Sequence, residues 1–429
     1  MKRNKPTIGV LGLWHLGCIY ATSFAELGYE VTGYDLTRQT VDDLNQGTPP
    51  IYEPGLTEKL KSFLGKNLFF TFQPQEAIKG KKYVFVALDI PVDDHDQMDL
   101  RPLNKLLTVI TRYASFKHTT VVISSQVPLG TCREFLKRAN RRKQINVIYF
   151  PENIRLGTAF QTFLKPDRII LGLEKKSLLT QFVHDFPNFT CPILTMNLES
   201  AEMVKHALNS FLAVCISYAS EIGDLCELLG ANYDDVVGAL RTDSRIGSNA
   251  PLNPGTGFAG GTIGRDVQIL RKLSKGYDYR PKMIEVAYEI NKSRLARLLK
   301  KIQSLYPKLD GKKIGLLGLT YKPGTNTLRR SKSLELSKLI HARSGIVIGY
   351  DPAIRGSIPG YPYIQATESL ADFFQDLDAV VIMTPCPEFK KVSLKLMDSM
   401  RNKVIFDSVN LLDRNKFLSN EIKYFRTGR

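Results

Sequence analysis

Long hydrophobic runs are missing from this 429-residue chain. No stretch approaches the roughly 20 apolar residues that a membrane span requires. Paired cysteine spacing is missing too, since Cys18, Cys132, Cys191, Cys215, Cys226 and Cys386 are scattered. That scatter argues against a disulfide framework and for reduced thiols in a cytoplasmic protein. The basic start Met1-Lys2-Arg3-Asn4-Lys5 runs into Pro6 and a strand-like stretch interrupted by Gly12 and Gly17, so no signal peptide is expected. Acidic residues are in deficit, 42 against 59 Lys and Arg, for a net charge of +17. The excess does not cluster: its densest runs, Lys79-Gly80-Lys81-Lys82 and Arg141-Arg142-Lys143, are short, and no RNA-binding aromatic signature accompanies them. A solvated basic surface therefore explains the charge better than a nucleic-acid face, and it also favours small anionic substrates. No low-complexity segment occurs, and no metal site or membrane association is expected.

What is present is an α/β rhythm. Short β-branched runs at Thr7–Leu11, Glu30–Tyr34, Tyr83–Ala87, Thr120–Ser124, Val147–Phe150 and Arg168–Gly172 read as strands of a parallel sheet buried on both faces. From Ala201 to Leu229 the apolar residues recur at the helical period, and helical stretches follow at Asp234–Leu240 and Pro281–Ile302. Between them Arg245–Gly264 reads as a long Gly/Pro/Ser/Asn-rich loop, a kind of segment that often carries function. A second α/β unit begins near Lys312, with strands expected at Ile346–Tyr350, Ala379–Thr384 and Lys403–Asp407. The fold class is thus α/β: two Rossmann-like doubly wound domains (1–195 and 306–429) joined by a central helical segment (196–305), with a ligand held between two domains.

Both α/β units open on a strand–glycine–helix signal. In the first, Gly12 and Gly17 hold the first and third places of the dinucleotide fingerprint, and Trp14 holds the second, where it should crowd the phosphates. Asp35, at the end of the second strand, is placed to bond a ribose 2′-hydroxyl and to repel a 2′-phosphate, which favours NAD over NADP. Taken alone, the imperfect fingerprint reads equally well as a helix–strand contact that needs Gly17. His15 beside it reads as a packing residue.

Further motifs follow in order: Leu44-Asn45-Gln46-Gly47, Tyr52-Glu53-Pro54-Gly55-Leu56, Ser125-Gln126-Val127-Pro128, Pro151-Glu152-Asn153-Ile154-Arg155, Phe163-Leu164-Lys165-Pro166-Asp167-Arg168, Ala201-Glu202-Met203-Val204-Lys205, Gly257-Phe258-Ala259-Gly260-Gly261-Thr262-Ile263-Gly264-Arg265-Asp266 and Gly318-Leu319-Thr320-Tyr321-Lys322-Pro323. From about residue 7 to residue 415 the chain resembles the UDP-glucose/GDP-mannose dehydrogenase family. The resemblance implies an N-terminal NAD domain, a central helical segment forming a homodimer, and a C-terminal domain for the nucleotide of a UDP- or GDP-sugar. Typical members oxidise a sugar C6 alcohol to a carboxylate with two NAD.

By the same resemblance, Lys205 and Asn209, four apart on one helix face, stabilise the developing oxyanion and contact the sugar. Asp266 works with a water as general base, and Glu152 assists hydrolysis. Gly12, Trp14, Leu16, Gly17, Asp35 and Gln126 fall on the cofactor side. Phe163, Arg245, Phe258, Lys322 and Arg329 fall on the substrate side, with Arg245 donated across the dimer.

Several positions depart from the family pattern: Gln126 for a threonine that orders water, Leu156 for an acidic residue, Gly264-Arg265 for Pro-Lys and Val409 for an arginine. The sharpest is Thr262, which stands where the family has the cysteine that captures the aldehyde. A free thiol titrates near ~8.5, whereas an aliphatic hydroxyl lies nearer water's ~15.7. The gap of about 7 units is worth roughly 10 kcal/mol at about 1.36 kcal/mol per unit. No base stands beside Thr262 in the motif to cover it, so a thioester route is excluded and an ester route disfavoured. A single two-electron oxidation to a carbonyl is the expected reaction. A hydrate route to the acid through Glu152 or Asp266 stays open. The rival reading is a catalytically impaired or repurposed nucleotide-sugar binder.

Overall fold

A computed structural model describes residues 5–93, 97–115, 118–140, 145–151, 154–417 and 422–429. The chain divides into two compact units, Met1–Leu208 and Asn209–Arg429.

The first unit is built on an eight-stranded sheet: β1 (Ile8–Leu11), β2 (Val31–Tyr34), β3 (Leu68–Thr71), β4 (Tyr83–Val86), β5 (Thr120–Ile123), β6 (Asn146–Tyr149), β7 (Ile169–Leu173) and β8 (Ile193–Met196). Its order is β3-β2-β1-β4-β5-β6-β7-β8, so the winding reverses beside β1. All neighbours are parallel except β6 and β7, which pair antiparallel through Ile148↔Leu173 and Tyr149↔Gly172, a correction to the all-parallel expectation. Strands such as Ile-Gly-Val-Leu, Tyr-Val-Phe-Val and Thr-Val-Val-Ile are buried along their whole length because helices cover both faces. Helix α1 (His15–Glu26) follows β1 directly. Its Tyr20 and Phe24 pack with Phe85, Phe163 and Phe186 in one of the two cores flanking the sheet.

Helix α2 (Leu198–Leu229) runs across the boundary between the units. In the second unit it is followed by α3 (Tyr233–Thr242), α4 (Ile263–Lys275), α5 (Lys282–Leu305) and a parallel six-stranded sheet. The strands are β9 (Lys313–Leu317), β10 (Ile346–Tyr350), β11 (Ile364–Ala366), β12 (Ala379–Ile382), β13 (Val404–Asp407) and β14 (Lys423–Arg426), in the order β11-β10-β9-β12-β13-β14. Helix α6 (Lys332–His341) packs on β9 and β10. Leu295, Leu298, Leu299 and Ile302 of α5 share one apolar cluster with Ile314, Leu316, Leu336 and Ile340, so the helical segment and this sheet have a common core.

Helix α4 begins inside the glycine-rich stretch, at Ile263, where a loop running to Gly264 was expected. Its buried face includes Gly264 and Asp266 beside Val267 and Ile269, so its apolar period is interrupted. Arg294 of α5 holds the stretch before it, donating to the Gly255 carbonyl at 2.9 Å while pairing with Asp224 of α2 at 2.5 Å. All six cysteines are free thiols. No helix of the described residues is long and apolar enough to cross a membrane.

Candidate active site

Two polar centres emerge, one in each unit. The first lies where the winding of the eight-stranded sheet reverses, the place at which open α/β sheets bind ligands. Gly12 leaves β1 with φ of +91°, and a Cβ on it would stand 2.7 Å from the Leu88 Cα. A Cβ on Gly17 would stand 1.7 Å from the Gly12 carbonyl oxygen, so only glycine lets α1 lie this close to the turn. Trp14 takes φ of −92° and needs no left-handed backbone, which explains why the turn forms without a second glycine. Its ring is half-buried and edge-on to His15.

The Leu13 amide donates to Asp35 Oδ2 at 2.7 Å and the Thr37 amide to Asp35 Oδ1 at 2.9 Å. The Leu16 amide donates to Asp89 Oδ2 at 3.3 Å. Among the described residues the amides of Trp14, His15 and Gly17 have no acceptor, which leaves three donors at the helix N-terminus for an anion. The shape and open amides of this turn therefore fit NAD. Cys18 is no nucleophile: burial first, then the Asp35 and Asp89 carboxylates, push its thiol far above the ordinary range.

His15 and Glu53 form a buried pair at 3.0 Å, and Glu53 also accepts the Gly157 and Ala159 amides at 2.8 and 2.9 Å. Burial pushes the Glu53 carboxyl up, but the bonds from His15, Ala159 and Gly157 outweigh it and hold it below the usual range. His15 is a packing and clamping residue here, in line with its sequence reading. Gln126, just beyond β5, is 4% exposed, and neither of its amide atoms has a partner among the described residues. Its flanks are fixed: the Leu88 amide donates to Ser125 Oγ at 2.9 Å, and His206 Nε2 meets the Val127 carbonyl at 2.8 Å. A buried primary amide with neither bond made is uncommon in a packed interior.

The second centre gathers on α4 and on the part of α2 that begins at Asn209. Asn209 is buried, as is Lys205 one helical turn earlier, in the first unit's part of α2. Asn209 Nδ2 donates to Asp266 Oδ2, and Asp266 is fully buried. The Asp266 amide reaches the Thr262 carbonyl at 3.2 Å. Thr262 is the exposed N-cap of α4, and its hydroxyl caps no amide. The preceding turn meets the loop after β9: the Gly260 amide donates to the Arg330 carbonyl at 3.2 Å, and a Cβ on Gly260 would stand 2.9 Å from the Tyr321 ring. Lys322 and Arg329, both half-buried, flank that junction in sequence.

Other expected site residues lie elsewhere. Arg245 is solvent-exposed and forks onto Asp243 at 2.6 and 3.0 Å. The Phe163 ring packs 4.9 Å from Tyr20 in the core, and Phe258 packs with Ala213, Val267 and Tyr288. Glu152 lies outside the described residues. Asp89 was missed by sequence reasoning. Its only signal was an acidic residue at the carboxyl end of a strand beside the reversal point.

A dinucleotide fold that fits NAD, followed by a second parallel-sheet unit, is the architecture of the NAD-dependent sugar-nucleotide oxidoreductases that act on CH–OH. Residues 6–186 match the NAD binding domain of the UDP-glucose/GDP-mannose dehydrogenase family, residues 199–293 its central domain and residues 315–414 its UDP binding domain. UDP-glucose 6-dehydrogenase AglM of Haloferax volcanii is 30% identical over 96% of this chain and 99% of its own. UDP-glucose 6-dehydrogenase TuaD of Bacillus subtilis is 30% identical over 98% and 93%. Among solved structures, a UDP-glucose dehydrogenase from Pyrobaculum islandicum superposes with a TM-score of 0.88 at 27% identity, covering 100% of this chain and 99% of its own. The UDP-D-ManNAc dehydrogenase of Pyrococcus horikoshii gives 0.87 at 27% identity, covering 99% of each. The chain belongs to the UDP-glucose/GDP-mannose dehydrogenase family.

Proposed function

We propose that this protein oxidises the alcohol of a UDP-activated sugar in a single two-electron step and releases a carbonyl product. The observation that carries this reading is the split at α4. Asp266 is fully buried and bonded by Asn209, while the position of the capturing nucleophile is an exposed, unactivated threonine. NAD, when bound, supplies the hydride acceptor. Lys205 holds positive charge near the reacting oxygen, and Asn209 orients Asp266. Asp266 takes the hydroxyl proton through a water. Thr262 lines the site without forming a bond to the product carbon. None of Cys18, Cys132, Cys191, Cys215 or Cys386 offers an activated thiolate, since burial, the leading cause in each, raises all five.

Gln126 offers its unsatisfied amide to the bound ligands. Lys322 and Arg329 serve the nucleotide diphosphate. The rings of Phe163 and Phe258 are committed to packing within their own units. Phe211, Tyr218 and Leu225 recur every seventh residue on α2 and are 61%, 47% and 48% exposed, a seam suited to a second copy of α2. The functional unit is a homodimer, and the exposed Arg245, ion-paired with Asp243, is the residue that one protomer lends to its partner.

The test is stoichiometry. With UDP-sugars offered in turn, one NADH should form per sugar consumed, with a product trapped by hydroxylamine. Two NADH per sugar with a uronate product would refute the single oxidation. Light scattering in solution checks the dimer.

A further inference from the structure

The first turn carries a carboxylate that neither the fingerprint nor the proposed chemistry uses. Asp89 follows β4 and is half-buried. Its Oδ2 accepts the Leu16 amide at 3.3 Å, a donor at the N-terminus of α1. Asp35 holds the Leu13 amide on the other side of the same turn. Two of the turn's donors are therefore taken by the protein's own carboxylates, and the Trp14, His15 and Gly17 amides remain open among the described residues. Cys18, on the first turn of α1, bonds the Leu13 carbonyl through its sulfur and feels both charges. The two carboxylates therefore act on one small region. Asp35 has a use toward the ribose, but Asp89 has none toward a diphosphate, which like charge repels.

We propose that Asp89 is an internal competitor for the cofactor diphosphate: it occupies the helix-terminal donor of Leu16 and holds the affinity for NAD low. The proposal rests on the assignment of this turn to NAD. To seat the dinucleotide fully, Asp89 must release the Leu16 amide or share it under repulsion. Removing its charge while keeping an acceptor for Leu16 then relieves the competition without uncapping the helix. Asp89 is a positioning residue in this scheme, and its effect falls on cofactor binding rather than on the proton transfer at Asp266.

Trp14, the only tryptophan in the chain, lies in this turn and serves as the reporter. NAD is titrated into the full-length wild type, Asp89→Asn and Asp89→Ser while the tryptophan fluorescence is followed. Both variants keep a side-chain acceptor for the Leu16 amide, and a thermal melt checks that each is folded. At about 0.05 M salt both are expected to bind NAD about fivefold tighter than wild type, or better. At about 1 M salt, where screening acts within about 3 Å, the ratio should shrink toward one. An unchanged Kd in the variants would overturn the proposal and leave the cofactor assignment standing. So would a weaker Kd, which would make Asp89 an acceptor for a cofactor hydroxyl. Absence of any fluorescence change in all three proteins up to millimolar NAD would overturn the proposal and the cofactor assignment together.

Discussion

The two sheets open with the same device and use it differently. In each, the first strand ends at a left-handed glycine, Gly12 at φ +91° and Gly318 at φ +93°, and the next strand ends at an aspartate. That aspartate accepts the amide of the residue after the glycine, Leu13 for Asp35 and Leu319 for Asp351. The likeness stops there. Asp351 is 4% exposed and takes four donors: the Leu319, Thr320 and Ala353 amides and the Thr320 hydroxyl, at 2.8 to 2.9 Å. Asp35 takes two and stays half-exposed. In the first unit α1 starts at His15, straight after the turn, whereas in the second the chain loops out through Tyr321, Lys322 and Arg329 before α6 starts at Lys332. An aspartate at a strand end is thus not a ligand group by position. It becomes one only where its lone pairs are left over.

The comparison can be broken most forcefully at Gly17, which has no counterpart in the second unit. Gly17→Ala drives a Cβ against the Gly12 carbonyl and is expected to cost about 3 kcal/mol, read by urea denaturation. A loss below about 1 kcal/mol would mean that α1 can shift off the turn freely.

Exchanging the aspartates' roles is the next test. Asp351→Asn should cost about 2 kcal/mol of stability and leave the Kd for NAD unchanged, because it unmakes a saturated carboxylate. Asp35→Asn should cost less than about 1 kcal/mol but weaken NAD roughly tenfold and erode the preference over NADP. Equal effects on NAD from both would erase the distinction drawn between them.

The smallest effect is expected at Glu53, the clamp on the 157–159 turn. Its carboxyl is held below the usual range, so its contribution is complete above the ordinary value near ~4.3 and fades as the pH falls through the depressed one. Glu53→Gln should therefore be about 1 kcal/mol less stable than wild type at pH 7, with the gap closing toward about pH 3. Denaturation curves at the two pH values check this, and a gap that widens in acid would reverse the assigned sign.

How much of this was legible beforehand follows the burial of each strand. Every interior strand was read from its apolar run, within a residue or two at each end. The four that were missed, β3, β8, β11 and β14, are the outer strands of the two sheets. Their residues are partly exposed, as in Ile193–Met196 and Lys423–Arg426, so no continuous apolar run marks them. Helix α4 was missed for a related reason. Its buried face is partly polar because Asp266 sits on it, and burial of a carboxylate leaves no hydrophobic period to read.

The two glycine turns, the aspartates after β2 and β10, the Lys205–Asn209 spacing and a threonine rather than a thiol at position 262 are all readable along the chain. These depend on neighbours along the chain, or on one residue's own chemistry. Which carboxylates are spent and which are available was settled by packing between elements distant in the chain. It saturated Asp351, set Asn209 on Asp266, left Gln126 unpaired and brought Asp89 to the end of α1. Each of those outcomes depends on a donor tens of residues away in the chain or on the lack of one, and hydrogen-bond satisfaction in a packed interior is settled by distance in space.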